Sequence, residues 1–163
     1  MAVETKKVTG RREISYRSYD ELLADAQSVA ASDNVKMVGN WSLAQIFQHL
    51  AAALESSIDG VAFKAPWPMR VMGKLFMKKR MLTNTLPAGF KIPDGQKAEI
   101  FRPDSSVDTA TALAKLSGAI ERVKTENARA EHPFFDTLTR QEWDAFNLRH
   151  AELHMSFAIP PAS

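Results

Sequence analysis

Apolar residues recur at helical spacing in four stretches of the chain, and the strict alternation that is typical of strands is nearly absent. In the second stretch, for example, Leu43, Ile46, Phe47, Leu50 and Leu54 share one face of a helix. The pattern therefore predicts an all-α fold. The predicted helices run from Ser18 to about Ala31, from Ser42 to Gly60, from about Val107 to Asn127, and from Thr139 through Phe157 to Pro160.

Start and stop signals support these helices. A capping box pairs a Ser or Thr side chain with a Glu or Gln three residues later, so that each bonds the other's backbone amide. Glycine just past a helix and proline beyond it are typical stops, which suits Gly60 and Pro160. The predicted capping boxes are Ser18 with Glu21, Ser42 with Gln45, and Thr139 with Glu142.

Four amphipathic helices each have one apolar stripe to bury, and an up-and-down four-helix bundle buries all four together. Helices two and three are separated by a long insertion, residues 61–106, which is unusual for a bundle connection. Within it, PMRVMGKLFMKKRML predicts an extra short helix. The remainder, about 83–106, is interpreted as an irregular loop with KAEIF as a short strand. The length of 163 residues suits one domain, so residues 1–163 are treated as a single bundle.

Composition narrows the class of protein. Hydrophobic residues make up 45% and charged residues 25%, the mix of a globular protein. Lys and Arg number 21 against 19 Asp and Glu, so no strong positive field favours nucleic acid. No apolar run is long enough for a transmembrane segment, and the Arg11–Arg12 pair lacks the apolar stretch of a signal peptide. A cytoplasmic location is the prediction that follows.

The histidines are the candidate chemistry, because the chain contains four histidines and no cysteine. His150 and His154 are one helical turn apart and share a face. His49 lies on the apolar side of the second helix, so three of the four histidines face inward. Core histidines satisfied by hydrogen bonds and a shared divalent metal ion are both compatible with this spacing.

A family resemblance is carried by two segments, NWSLAQIFQHLA and HPFFDTLTRQEWDAFNLRHAELHMSF. They resemble the DinB/YfiT-like superfamily of metal-dependent bundles, whose pattern has one His on helix two and H-x-x-x-H on helix four. His49, His150 and His154 match that pattern. The resemblance implies a four-helix bundle that binds zinc, nickel or a similar divalent ion with open water positions. It also implies, for some branches, S-transferase or isomerase activity with low-molecular-weight thiols.

Three neutral imidazoles would leave a bound ion its full positive charge, which lowers the pKa of a coordinated water or thiol. Hydrolysis usually adds a carboxylate as general base, and the positions that share the ligand face on helices two and four are not acidic. A thiol needs less help because it is already far more acidic than water. Gln45 and Asn147 are candidate hydrogen-bond partners of the ligands, or ordinary helix polar residues.

Cations cluster in the insertion, where Arg70, Lys74 and Lys78 are candidates for recruiting an anionic substrate to the metal. The basic segment, residues 66–82, contains no acid. Such a segment is usually an amphipathic surface helix with solvated charges, and the two more specific interpretations are a lid and a weak membrane-surface contact. His132 precedes Pro133 and is either a fourth ligand or a loop-anchoring side chain.

The first hypothesis is a metal-dependent thiol S-transferase that acts on a small molecule. The alternative is a metal- or ligand-binding bundle without turnover, and an apo bundle with histidines as packing residues is a third interpretation. A monomer and a homodimer both remain open.

Overall fold

A computed structural model describes residues 2–89 and 101–161 and shows a mainly helical protein. Two short strands pair antiparallel, and a π-helical turn, Gly73–Met77, joins two of the helices. The helices are α1 (Tyr19–Ala31), α2 (Leu43–Asp59), α3 (Trp67–Met72), α4 (Lys78–Thr83), α5 (Thr109–Thr125) and α6 (Arg140–Met155). The strands are β1 (Lys36–Met37) and β2 (Ala158–Ile159), and Thr5–Lys7 form a 3-10 turn.

The four long helices α1, α2, α5 and α6 correspond to the four predicted from the apolar periodicity. The last prediction was too long, because α6 ends at Met155. The chain then leaves the helix so that Ala158 and Ile159 pair with β1, and the Phe157 carbonyl accepts a hydrogen bond from Val38. Pairing with a distant strand therefore overrides the local helical pattern.

Two of the three predicted capping boxes are complete, at the starts of α2 and α6. The prediction for α1 was wrong in one half. The Ser18 hydroxyl accepts from the Glu21 backbone amide, but the Glu21 carboxylate bonds Arg17, both at its backbone amide (2.8 Å) and at its side chain (2.9 Å). A neighbouring guanidinium is a stronger partner for a carboxylate than a neutral amide is.

The core lies between the four long helices, with α5 and α6 each packed against both α1 and α2. Leu22, Phe47, Leu50, Leu116 and Ile120 are at most 2% exposed and supply it from three of these helices. Burying each such side chain stabilises the fold by roughly 1.5–3 kcal/mol. A second, smaller cluster of Phe135, Leu138 and Trp143 lies beside it.

The extra helix predicted in the insertion is confirmed as the run α3, π-helical turn and α4, which packs against α6. Gly73 allows close contact with the loop before α6, because a Cβ atom there would meet the Phe134 carbonyl oxygen at 3.1 Å and the Phe135 ring at 3.3 Å. The predicted KAEIF strand falls mainly on 97–100, outside the described residues. Among the described helices, none has the length and apolarity to cross a bilayer.

Candidate metal centre

Three histidines from two helices meet in the interior. His49 lies on α2. The capping box at Ser42 fixes the start of this helix, and Ile46 and Leu50, which lie on either side of His49 in the sequence, are buried. His150 and His154 are one turn apart on α6. His49 is 4% exposed, and the other two are half-buried. The structure therefore brings together the three residues predicted as ligands.

The ring nitrogens of the three histidines converge. The His49 Nε2 and His150 Nε2 atoms lie 3.2 Å apart, and the His150 and His154 Nε2 atoms lie 3.0 Å apart. One ligand atom from each residue lies within 4.8 Å of the other two. Tetrahedral zinc with bonds of about 2.05 Å places its nitrogen ligands about 3.3 Å apart, close to the two shorter separations.

The orientation of His49 is set by a backbone partner. Its Nδ1 atom lies 2.9 Å from the Phe101 carbonyl oxygen, which can only accept, so Nδ1 carries the proton and donates. That tautomer leaves Nε2 unprotonated and facing the other two rings. Metal-binding histidines commonly donate their second ring nitrogen to a carbonyl or carboxylate in this way.

Aromatic rings surround the three imidazoles. Trp41 stacks on His154, with ring centroids 5.4 Å apart and an interplanar angle of 18°, and lies 4.8 Å from the His49 ring. Phe146 stacks on His150 at 6.2 Å, and Phe101 contacts His49 edge-on. These apolar walls restrict rotation of the rings and exclude water from most of their surface.

Burial keeps all three imidazoles neutral. It lowers the pKa of His150 to about 3, with smaller contributions from His49 and His132. Burial also lowers the pKa of His154, and the neighbouring His150 and His49 lower it further. It lowers the pKa of His49 as well, although the hydrogen bond to the Phe101 carbonyl acts in the opposite direction. Neutral imidazole is the form that ligates metals, so at neutral pH the nitrogens do not need to lose a proton first.

The histidines line a cavity of about 1290 Å³, larger than a typical site for a small molecule. Its other walls include aromatic and methionine side chains from the insertion and from α6, among them Phe63, Phe76, Met77 and Phe146. No Asp or Glu of the described chain lines it, whereas Arg80 and Arg102 do. Within the described residues, the cavity thus joins the histidines to an apolar space with cationic side chains and without a carboxylate.

His132 is separate from the three-histidine group. Its Nδ1 atom accepts hydrogen bonds from the backbone amides of Phe134 (3.1 Å) and Phe135 (3.2 Å), and its ring stacks on Phe135. Burial lowers the pKa of His132 to about 3. These contacts favour the loop-anchoring interpretation over that of a fourth ligand.

The two side chains predicted as hydrogen-bond partners of the ligands are engaged elsewhere. The Gln45 side chain accepts from the Ser42 backbone amide at 3.0 Å, which completes the capping box. Asn147 is buried and donates to the Tyr19 hydroxyl (3.2 Å) and to the Ser57 hydroxyl (3.3 Å), although it also lines the cavity. The Phe101 carbonyl takes the role expected of them.

The three cations predicted to recruit substrate face carboxylates at the protein surface. Arg70 and Lys74 bind Asp136 at 2.5 and 2.6 Å, and Lys78 binds Glu142 at 2.7 Å. These contacts lower the pKa of Asp136 to about 2, and the hydrogen bond from Lys74 makes the largest contribution. None of the three lines the cavity, so Arg80 is better placed to meet an anionic ligand there.

Glu152 is a buried carboxylate on α6 that does not share the ligand face. It lies between His150 and His154 in sequence, but two residues along a helix rotate a side chain by about 200°, which turns it away. It accepts hydrogen bonds from the Tyr16 amide and the Thr85 hydroxyl, both at 2.7 Å. It therefore supports the packing of the N-terminal segment.

Sequence reasoning missed the parts of the site that are not histidine. Trp41 stands directly before the N-cap of α2, and that position was the available signal for its proximity to His49. The hydrogen bond from His49 to the Phe101 carbonyl could not be predicted from the sequence, because a residue of any type at that position has a carbonyl oxygen. Arg80 was visible only as one of several cations.

Comparison with known proteins gives one positive result. The family model described as "Protein of unknown function (DUF1569)" matches residues 8–161, which includes all three histidines of the centre. No curated protein and no solved structure matches the chain. Since the matched region covers nearly the whole sequence, the chain belongs to the DUF1569 family.

Proposed function

We propose that this protein is a DinB-like up-and-down four-helix bundle that binds a divalent metal ion through His49, His150 and His154. The packing of α5 and α6 against both α1 and α2 supports the bundle assignment. The long insertion with the basic segment would then be an addition between the second and third helices of the bundle.

The observation that carries the metal site is the convergence of three imidazole nitrogens, with the His150 Nε2 atom 3.2 Å from the His49 Nε2 atom and 3.0 Å from the His154 Nε2 atom. Without an ion, the His150 Nε2 atom has only one N–H group or one lone pair, so it can satisfy at most one of its two neighbouring nitrogens. Leaving a buried polar nitrogen unsatisfied costs about 1–3 kcal/mol, and one ion would satisfy three of them. Three nitrogen ligands with open positions suit zinc or nickel.

We infer that the site activates a low-molecular-weight thiol for transfer to an electrophile. A bound divalent ion would lower the pKa of a coordinated thiol. The chain supplies the remaining functions: the aromatic walls exclude water, and the apolar cavity holds the electrophile near the sulfur. Absence of a carboxylate from the described cavity lining disfavours hydrolysis, since attacking water needs a general base.

Metal content tests the site. Loss of a residue that only hydrogen-bonds a metal ligand typically lowers metal affinity 10–100-fold. Loss of a ligand itself should cost more, so His49→Ala, His150→Ala and His154→Ala should each lower metal affinity by more than this. Affinity is measured by competition with a chromogenic chelator on protein purified without a histidine tag. Retention of one ion per chain at micromolar concentration in any single variant would show that the ligand set is wrong.

Thiol activation has a separate test. Cobalt-loaded protein titrated with small thiols should develop sulfur-to-metal charge-transfer absorption. Arg80→Gln should weaken the apparent affinity for anionic thiols about two- to fivefold at low ionic strength, and less at high salt. Lys115→Gln, which removes an exposed cation on α5 outside the cavity, is the matched control. If cobalt binds but thiols cause no spectral change, the protein is a metal-binding bundle without thiol chemistry.

A further inference from the structure

Large apolar side chains are exposed on one segment. Of the eight large hydrophobic residues exposed in the described chain, all but Val3 lie between Trp67 and Met77 in the basic segment. Trp67, Leu75 and Phe76 are 69%, 71% and 71% exposed. Contiguous exposed apolar surface on a soluble domain usually marks a binding site for another surface.

The basic segment has two faces with different surroundings. Gly73 lies against the Phe134 carbonyl and the Phe135 ring and, with Met69, Met77 and Arg80, lines the histidine cavity. The outer face, which we define as Trp67, Val71, Met72 and Leu75, takes no part in the cavity. Its residues follow helical spacing, so they form one stripe. The apolar residues of the outer face are therefore not needed to line the site below.

Positive charge surrounds this stripe. Lys64, Arg70, Lys74 and Lys78 pair with the carboxylates of Glu131, Asp136 and Glu142. Lys79 and Arg80 are exposed, and neither side chain has an ionic or hydrogen-bond partner within residues 2–89 and 101–161. Arg80 lines the cavity on the other face, so five cations against three carboxylates leave a net positive charge beside the outer face.

We propose that the outer face docks onto an anionic lipid surface, with its apolar side chains in the boundary between headgroups and acyl chains. An amphipathic helix with Trp and Leu on one face and cations beside them suits that boundary. Each Lys or Arg near an anionic surface adds to the attraction. A second copy of this chain fits less well, because a symmetric contact would set Lys79 and its neighbouring cations against identical charges.

Vesicle sedimentation tests the proposal with the full-length protein. The protein should sediment with phosphatidylcholine vesicles that contain about 30% phosphatidylglycerol, should bind pure phosphatidylcholine much less, and should dissociate as salt rises. Lys79→Gln should weaken binding about fivefold. The double variant Met72→Gln/Leu75→Gln should weaken it at least tenfold.

Matched controls remove a similar group elsewhere: Val3→Gln for the apolar side chains and Lys115→Gln for the cation. Both should bind like the unmodified protein, and circular dichroism verifies that every variant is folded. Equal binding to charged and neutral vesicles, or unchanged binding of the double variant, would overturn the proposal. So would a dimer in light scattering that Met72→Gln/Leu75→Gln converts to a monomer. Metal content does not enter the readout, so the result is independent of the histidine site.

Discussion

Removing the His132 ring should destabilise the fold without removing the metal, although His132 is also a buried histidine beside the cavity. His132→Ala deprives the Phe134 and Phe135 amides of their acceptor and leaves a cavity in the small cluster. Each lost hydrogen bond costs about 1 kcal/mol, and the missing ring adds a similar amount. The expected loss of unfolding free energy at pH 7 is about 3 kcal/mol.

The pH dependence of this loss has a defined sign. Burial holds the pKa of His132 at about 3 in the folded protein, against about 6.5 in an unfolded chain. Between these values the unfolded state binds more protons, so the stability due to a neutral His132 is present above pH 6.5 and is lost as pH falls. The loss amounts to about 2 kcal/mol between pH 7 and pH 5. Alanine does not titrate, so the variant should be destabilised by only about 1 kcal/mol at pH 5.

Urea unfolding of metal-free protein, followed by circular dichroism at both pH values, measures the difference between His132→Ala and the unmodified protein. The other histidines titrate in both proteins and cancel in that difference. Chelator competition at pH 7 measures the metal, with His150→Ala as the comparison. Two results would refute the reasoning: a stability difference that does not shrink at pH 5, or a loss of metal as severe as in His150→Ala.

Two further predictions concern the scaffold. Chelation should lower the melting temperature but leave helicity in circular dichroism unchanged, because the core forms without the ion. A ligand present at a hundredfold excess over its Kd adds only about 2.7 kcal/mol to the unfolding free energy. Loss of helicity on chelation would contradict this prediction. Gly60→Ala should reduce the unfolding free energy, measured by urea unfolding, by about 1–2 kcal/mol, because Gly60 caps α2 at a φ of 82° that disfavours a Cβ atom. Gly118→Ala is the control: Gly118 lies inside α5 with open space around it, so this change should be neutral or stabilising.

The starts and types of the long helices were predictable because their causes are local. The Ser42 and Thr139 hydroxyls reach backbone amides three residues away, so the sequence contains both partners of each capping bond. The i, i+4 spacing of His150 and His154 likewise places their rings on one face of any helix. The inward position of His49 followed from the apolar residues around it.

Partners distant in sequence were decided by the tertiary structure. Phe101 reaches His49 across 52 positions, and Asp136 reaches Arg70 across 66. Composition could show that cations cluster in the insertion, but it could not show that Asp136 and Glu142 pair with three of them while Arg80 lines the cavity. Side chains choose partners by distance and burial in the folded chain, and spacing along the sequence determines these only within a helix.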